Sequence, residues 1–255
     1  GDYENMTTGT NADDAMVYTI ASNQVNAIRY MKAVRTLVVG TTGGEFTVSA
    51  DGTDASITPT NITIKRQSSF GSANVDAIPA GNAILFLQKA KRKIRELQYN
   101  FDSDGYQAPD LTILNEVATD TGINEMSYQQ EPSSIIWCVR EDGVLAALTY
   151  QRSENVVAWS RHIFGGAFGS GKAVCESVAS ISGVLTEDEV WVIVKRTING
   201  ATKRFVECFS DFDFDETDAN DFKFLDSHLS YSGGSTSTLS GLTHLEGQTV
   251  SILAD

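Results

Sequence analysis

The chain has few cysteines and no long apolar run. Its three cysteines, Cys138, Cys175 and Cys208, are widely spaced in 255 residues and form no CxxC pair. This number and spacing exclude a disulfide framework. Cys138 lies within an apolar stretch, where we expect a small core residue. No stretch approaches the roughly 20 apolar residues of a membrane helix, so we predict no membrane-spanning segment.

Basic residues are also scarce. The chain has 19 lysines and arginines against 33 acidic residues, which gives a formal net charge of −14. General nucleic-acid binding needs a basic surface, so this class is disfavoured. The acidity keeps the protein soluble, and it would also let DNA slide past without sticking. Both interpretations stay open at this point.

Sequence patterns of catalysis are absent. The chain has no GxSxG, no HExxH and no paired-carboxylate signature, and its three histidines lie in separate segments without ligand spacing. Residues 166–172 (GAFGSGK) spell most of a phosphate-binding loop. However, Ala173 replaces the required Ser or Thr, and a strand-like sequence follows where a helix is needed. We predict an ordinary loop there, and no enzyme activity for the chain.

The acidic stretch 211–216 resembles a calcium loop only in part. Asp211, Asp213 and Asp215 have the first spacings of such a loop, but Glu216 and Phe222 stand where Gly and Glu are required. The stretch is better explained as a solvated edge strand with its acids outward, which also prevents unwanted pairing. We therefore predict no catalytic, metal-binding or cofactor-binding residues and no cofactor.

A repeat of about fifty residues is the main positive feature of the sequence. Four markers, Ile28, Ile78, Met126 and Val178, recur at nearly even spacing. Each marker precedes an apolar burst; the bursts are residues 37–39, 84–87, 135–139 and 190–194. A strand-rich repeat of about this length is typical of β-propeller blades. The bursts are continuous, as expected for inner strands covered on both faces.

Hairpin turns follow three of the four bursts. They are Gly43-Gly44, Asp142-Gly143 and Asn199-Gly200, all of which favour tight turns between antiparallel strands. In the second repeat, residues 91–99 could form a short helix, but their position in the repeat favours a hairpin. We therefore predict an all-β fold with about four blades of a β-propeller, expected to be a fragment of a larger propeller.

A basic cluster occupies the turn position of the second repeat. It is a candidate interaction hairpin for an acidic partner or a DNA backbone, and a solvated hairpin tip is the alternative. The cluster holds five of the 19 basic residues: Lys89, Lys91, Arg92, Lys93 and Arg95.

Changes in composition predict three regions. Residues 1–22 read as an arm or the end of a preceding blade, and residues 23–221 as the blades. Residues 222–255 read as a Gly/Ser/Thr-rich linker and the first strand of a following β-rich domain that is truncated. We expect the chain to be a piece of a longer protein.

Eight whole phrases of the sequence stand out: TPTNI (58–62), FGSANV (70–75), DGY (104–106), APDLT (108–112), YQQEP (128–132), AWSRH (158–162), EVWVIVKRTING (189–200) and HLEGQ (244–248). Together these phrases resemble one protein family, the tail nozzle (tail tubular protein B) family of short-tailed bacteriophages and related prophages. The resemblance spans nearly the whole chain.

The resemblance implies a β-propeller followed by a β-rich platform domain. It implies a virion structural protein, made in the host cytoplasm, whose subunits form a hexameric ring around the DNA exit channel at the distal tail. Its partners would be an adaptor ring, tail fibres and DNA in transit, bound without sequence specificity. No catalytic residues come with the family. The alternatives are a receptor- or glycan-binding propeller of a phage or bacterium and, third, a propeller hydrolase.

Overall fold

The described part of the chain is all-β, as predicted. The computed structural model describes residue 4 and residues 6–20, 26–52, 55–183, 187–210 and 226–252. These residues form seventeen β-strands and three short 3-10 turns, and no α-helix is found among them. None of their helical segments is long and apolar enough to cross a membrane. The chain divides into two compact units, Gly1–Gly122 and Ile123–Asp255.

The first unit contains two four-stranded antiparallel sheets, each a simple meander. The first sheet is formed by β1 (Ile28–Ala33), β2 (Leu37–Thr41), β3 (Gly44–Ala50) and β4 (Ile62–Ser68). The second is formed by β5 (Ile78–Ala80), β6 (Ala83–Leu87), β7 (Ile94–Asn100) and β8 (Gly105–Gln107), and a 3-10 turn follows at Glu116–Thr119.

The second unit contains a third four-stranded sheet, a two-stranded hairpin and a fourth sheet. The third sheet is formed by β9 (Ile123–Gln129), β10 (Ile135–Arg140), β11 (Leu145–Gln151) and β12 (Val156–His162), with a 3-10 turn at Arg152–Glu154. The hairpin is β13 (Ala167–Phe168) and β14 (Gly171–Lys172). The fourth sheet has three described strands, β15 (Val174–Ser182), β16 (Asp188–Ile198) and β17 (Ala201–Cys208).

The fifty-residue repeat corresponds to the sheets. Every marker residue lies in the first strand of its sheet, and every apolar burst lies in the second strand. Three sheets continue to a fourth strand, whereas residues 211–225, which follow β17, lie outside the described residues. The repeat is therefore one antiparallel meander per period.

The predicted hairpins are confirmed. The turns at Gly43-Gly44, Asp142-Gly143 and Asn199-Gly200 connect β2 to β3, β10 to β11 and β16 to β17. Asn199 and Gly200 both have positive φ, +48° and +73°, as the tight turn between twisted strands requires. In the second repeat, β7 pairs with β6, so residues 91–99 form a hairpin and the helix alternative is wrong.

The tail, residues 226–252, has one regular element, a 3-10 turn at Leu242–Leu245. Residues 247–252, the described portion of the strand expected near the C-terminus, have no strand pairing. The predicted boundary near residue 222 lies outside the described residues, so the position of this boundary stays a prediction.

In the first unit, two sheets pack face to face. Tyr30 and Val38 of the first sheet contact Ile84, Phe86 and Leu97 of the second. The rings of Tyr30 and Phe86 are 6.1 Å apart between centroids. Burial of such large apolar side chains stabilises the fold by about 2 kcal/mol each.

The second unit repeats this packing. Residues of β10 and β11 contact a valine-rich face of β15 and β16, formed by Val178, Val190, Val192 and Val194. Cys138 is fully buried, which confirms the expected core position. Cys175 is also buried, and this burial raises the pKa of its thiol to about 12.

Burial of the apolar bursts on both faces is found in three sheets and not in the fourth. Strands β2, β6 and β10 are buried almost without interruption. In β16, Val190, Val192 and Val194 are buried, whereas Trp191 and Ile193 are only half-buried. The expectation of continuous burial is wrong for this strand, because no described element covers its second face to the same degree.

The turn at Gly143 offers a test of how tightly the second unit is packed. Gly143 has a φ of +80°, and an added Cβ would lie 2.6 Å from Val174 Cγ1; Gly200 has a φ of +73° but open space around it. We expect Gly200→Ala to lower the free energy of unfolding by about 1 kcal/mol, from backbone strain alone. Gly143→Ala should cost about 1–3 kcal/mol more, because the methyl group also meets β15. Urea unfolding measures both, and equal losses would contradict this packing.

Candidate interaction site

The five basic residues lie on the turn from β6 to β7 and at the start of β7. The turn is closed by backbone hydrogen bonds from Gln88 N–H to Lys93 O (2.8 Å) and from Lys91 N–H to Gln88 O (2.7 Å). Lys91 takes a left-handed backbone conformation with a φ of +62°. Lys89 N–H donates to Gly71 O at 2.9 Å, which ties the turn to the segment before β5.

Arg95 is turned into the protein. Its Nε donates to Gln88 Oε1 and its Nη1 donates to Ala108 O, both at 2.7 Å. The guanidinium carbon lies 3.4 Å from the centre of the Phe70 ring, a close cation–π contact. Burial lowers the pKa of Arg95. Arg95 therefore holds the base of the hairpin and presents little charge to a partner.

Lys93 is also paired within the chain. Its Nζ lies 2.7 Å from Asp110 Oδ2 and 3.7 Å from Glu116 Oε1. The hydrogen bond to Asp110 raises the pKa of Lys93. By contrast, Lys89 and Arg92 are exposed. Of the five basic residues, these two have the side chains that solvent reaches most readily.

An apolar loop lies beside these two cations. Its aliphatic side chains are largely exposed: Ile113 by 67%, Leu114 by 94% and Val117 by 59%. The loop is fixed to the hairpin, because Thr119 Oγ1 donates to Arg92 O at 2.6 Å. A depression of about 250 Å³ lies between hairpin and loop. We call the exposed surface formed by Lys89, Arg92, Ile113, Leu114 and Val117 the hairpin patch.

The sequence predicted the cations of the hairpin patch but not its exposed apolar residues. Ile113, Leu114 and Val117 are spaced as core residues are, so their sequence gave no signal of exposure. Exposed aliphatic side chains grouped in this way mark interaction sites more often than isolated ones do.

A buried carboxyl group lies below the hairpin. Glu45, at the start of β3, is fully buried, and Ser72 Oγ donates to its Oε1 at 2.8 Å. Ser68 Oγ and the Gly71 backbone also donate to it. Burial raises the pKa of Glu45, while these hydrogen bonds and the nearby charge of Arg95 oppose the rise. The cluster ties the first sheet to the segment that enters the second, and no sequence motif indicated it.

A second depression, of about 870 Å³, lies between the N-terminal arm and the first sheet. Tyr18 and Ile20 of the arm line one side, and Phe46 and Ile64 line the other. The Tyr18 hydroxyl donates to Pro59 O, which holds the arm over the sheet. The arm therefore lies beside the first sheet, with this depression between them.

The phosphate-loop look-alike forms a hairpin. Residues 167–172 are β13 and β14 with their turn, where Gly169 has a φ of +59°, and β15 follows directly. The predicted strand after it is confirmed, so no helix N-terminus is available to bind phosphate. The Phe168 ring lies 4.3 Å from Lys195 Nζ, which packs the hairpin on β16.

The other residues considered as catalytic or metal-binding candidates do not form a common site. His162 packs against the Trp137 ring at 5.1 Å, and burial lowers the pKa of its imidazole. Within the described ranges, no group of three or more His, Cys, Asp or Glu residues could hold a metal ion. The calcium-loop look-alike at 211–216 lies outside those ranges.

Comparison of the chain with known protein families and with curated proteins found no match.

The buried Glu45 carboxyl predicts a pH dependence of stability. Its pKa is higher in the folded chain than its ordinary value of 4.5, so the folded state holds a proton that the unfolded state releases. The Glu45 contribution to stability is therefore fully present below pH 4.5 and decreases as the pH rises through the folded pKa. Glu45→Gln removes this titration.

We expect the free energy of unfolding of wild type relative to Glu45→Gln to decrease as the pH rises from 5 toward 8. Urea unfolding of both proteins at low protein concentration measures their difference in free energy of unfolding at each pH. Taking this difference cancels the contributions of all other titrating groups, because both proteins share them. Parallel pH profiles would contradict the assignment.

Proposed function

We propose that this chain is the central propeller portion of a tail nozzle subunit of a short-tailed phage or a related prophage. The observation that carries the proposal is the repeat: one antiparallel meander sheet in each period of about fifty residues, packed face to face within each unit. Propeller blades are sheets of this kind in radial repetition. The phrases that resemble the nozzle family occur in all four sheets and in the tail.

The fourth sheet gives this proposal a second support. In the third sheet, Trp137 pairs with Ala147 and Val139 pairs with Leu145, and these four residues pack on the fourth sheet. At the equivalent positions, the fourth sheet has these residues: Trp191 paired with Cys208, and Ile193 paired with Val206.

The centre of this second face, at Trp191, Ile193 and Val206, is therefore apolar like the face of the third sheet that packs on the fourth. Val206 is 68% exposed, and Ile181 on the same face of the sheet is 55% exposed, although both are apolar. A propeller with further blades would cover them, which is the arrangement that we propose for the whole protein.

The proposed mechanism is mechanical. Rigid blades would supply the surfaces between subunits of a hexameric ring, and the ring would bind an adaptor ring and tail fibres. The net charge of −14 would repel DNA phosphates, so that the genome meets no adhesive site during ejection. The protein would act in the virion tail without a cofactor or catalytic residues.

The receptor- or glycan-binding alternative gains no support from the aromatic residues that would favour it. Such a site needs an exposed aromatic platform beside a cleft. Tyr150 is buried and Trp159 is only half-buried, so neither offers a fully exposed ring.

The location of the protein in the particle tests the proposed function. Antibodies raised against this chain and labelled with gold should decorate the distal tip of the short tail of purified virions in electron micrographs. Averaged images of the isolated assembly should show a ring of subunits around an axial channel. Label on the capsid or on the fibres alone, or no label on intact and opened particles, would overturn the proposal.

A further inference from the structure

The hairpin patch combines two chemistries that a binding partner has to match. Two exposed cations, Lys89 and Arg92, lie beside three exposed aliphatic side chains, Ile113, Leu114 and Val117. A DNA backbone would satisfy the cations and leave the aliphatic residues in water. A purely apolar partner would leave the cations unmatched. The patch therefore fits a protein segment that carries carboxylates and apolar side chains together.

The patch is also preformed. Its loop is fixed by the hydrogen bond from Thr119 to Arg92 O, and its hairpin is fixed by the ion pair of Lys93 with Asp110 and by the stacking of Arg95 on Phe70. A surface that needs no ordering on binding loses less conformational entropy when a partner docks.

The sequence of this chain contains a segment of the matching composition. Residues 211–216 read Asp-Phe-Asp-Phe-Asp-Glu, which lie outside the described residues and alternate carboxylates with phenyl rings. In an extended segment such alternation puts acids on one side and rings on the other. The carboxylates match Lys89 and Arg92, and the rings match the aliphatic loop.

Charge favours this pairing between copies of the chain. Two molecules of net charge −14 repel each other, so a contact between them is favourable where a basic surface of one meets an acidic surface of the other. The hairpin patch presents two exposed cations, Lys89 and Arg92, and the segment 211–216 holds four acids in six positions.

We propose that residues 211–216 of one copy of this chain bind the hairpin patch of a second copy. The two surfaces differ, so the contact is head-to-tail: in a pair, one copy keeps an unused patch and the other keeps an unused segment. Contacts of this type close into rings when the rotation allows. The inference rests on the proposed function only for the ring; the contact itself is tested with purified chain, independently of the virion.

Charge reversal in two variants tests the contact. One variant, Lys89→Glu with Arg92→Glu, inactivates the patch; the other, Asp213→Lys with Asp215→Lys, inactivates the segment. Sedimentation velocity should show self-association of wild type, and each variant alone should self-associate at least about tenfold more weakly, as the loss of close charge pairs predicts. Arg161→Glu with Lys172→Glu is the matched control, since both residues are exposed basic residues outside the patch, and it should associate like wild type.

Mixing the two charge-reversed variants distinguishes this contact from all others. The mixture contains one intact patch and one intact segment per pair, so it should form a one-to-one dimer and nothing larger. A chain that carries all four substitutions should regain self-association through the exchanged charges. Leu114→Ser, which removes only an exposed apolar side chain, should weaken the wild-type association. Equal thermal unfolding of all variants verifies their folding.

Four results would overturn the proposal. One is a wild-type chain that stays monomeric at every concentration tested. A second is a mixture that stays monomeric, because the segment would then bind the patch of its own chain. A third is association that persists in the patch variant. The fourth is binding of duplex DNA that Lys89→Glu with Arg92→Glu abolishes while self-association is unchanged.

Discussion

Strands β6 and β10 carry apolar side chains on both faces, so each of their sheets has to be covered from two sides. This requirement governs the whole described structure. In the first unit, the first sheet covers one face of the second, and in the other unit the third sheet covers one face of the fourth. A single antiparallel sheet with two apolar faces is not stable in water, and stacking is the simplest solution open to a chain built of repeated meanders. The rest of the architecture follows from that stacking.

Polar contacts join the elements that the apolar faces bring together. Glu45 accepts a hydrogen bond from Ser72, in the segment between the first and second sheets, and Arg95 of β7 stacks on Phe70 in the same segment. In the fourth sheet, Glu176 bridges Lys195 and Arg204, and these hydrogen bonds lower the pKa of its carboxyl to about 2. Such groups add little net energy on the surface. Their effect is to fix the register of strands and the position of connecting segments.

The sequence predicted what depends on local pattern. The Asn199-Gly200 turn and the burst at 135–139 each specify their structure with their own residues, so the hairpins and the repeat were predictable. Exposure was not. Ile113 and Leu114 have the composition of core residues, and nothing in their neighbourhood of the sequence says that no sheet covers them. Ile193 is the equivalent of the buried Val139 in its own burst, and nothing in the sequence says that Ile193 is only half-buried. Glu45 was missed for the opposite reason, because its serine partners arrive from more than twenty residues away.

One consequence concerns the cysteines. Cys138 and Cys175 are buried in the second unit, whereas Cys208 is exposed on the open face of the fourth sheet. The three thiols therefore differ in access to reagents, with one on the surface and two in the interior. A probe attached at Cys208 would report directly on the hydration of that face. The protein thus contains a natural chemical handle on that face, without any engineered residue.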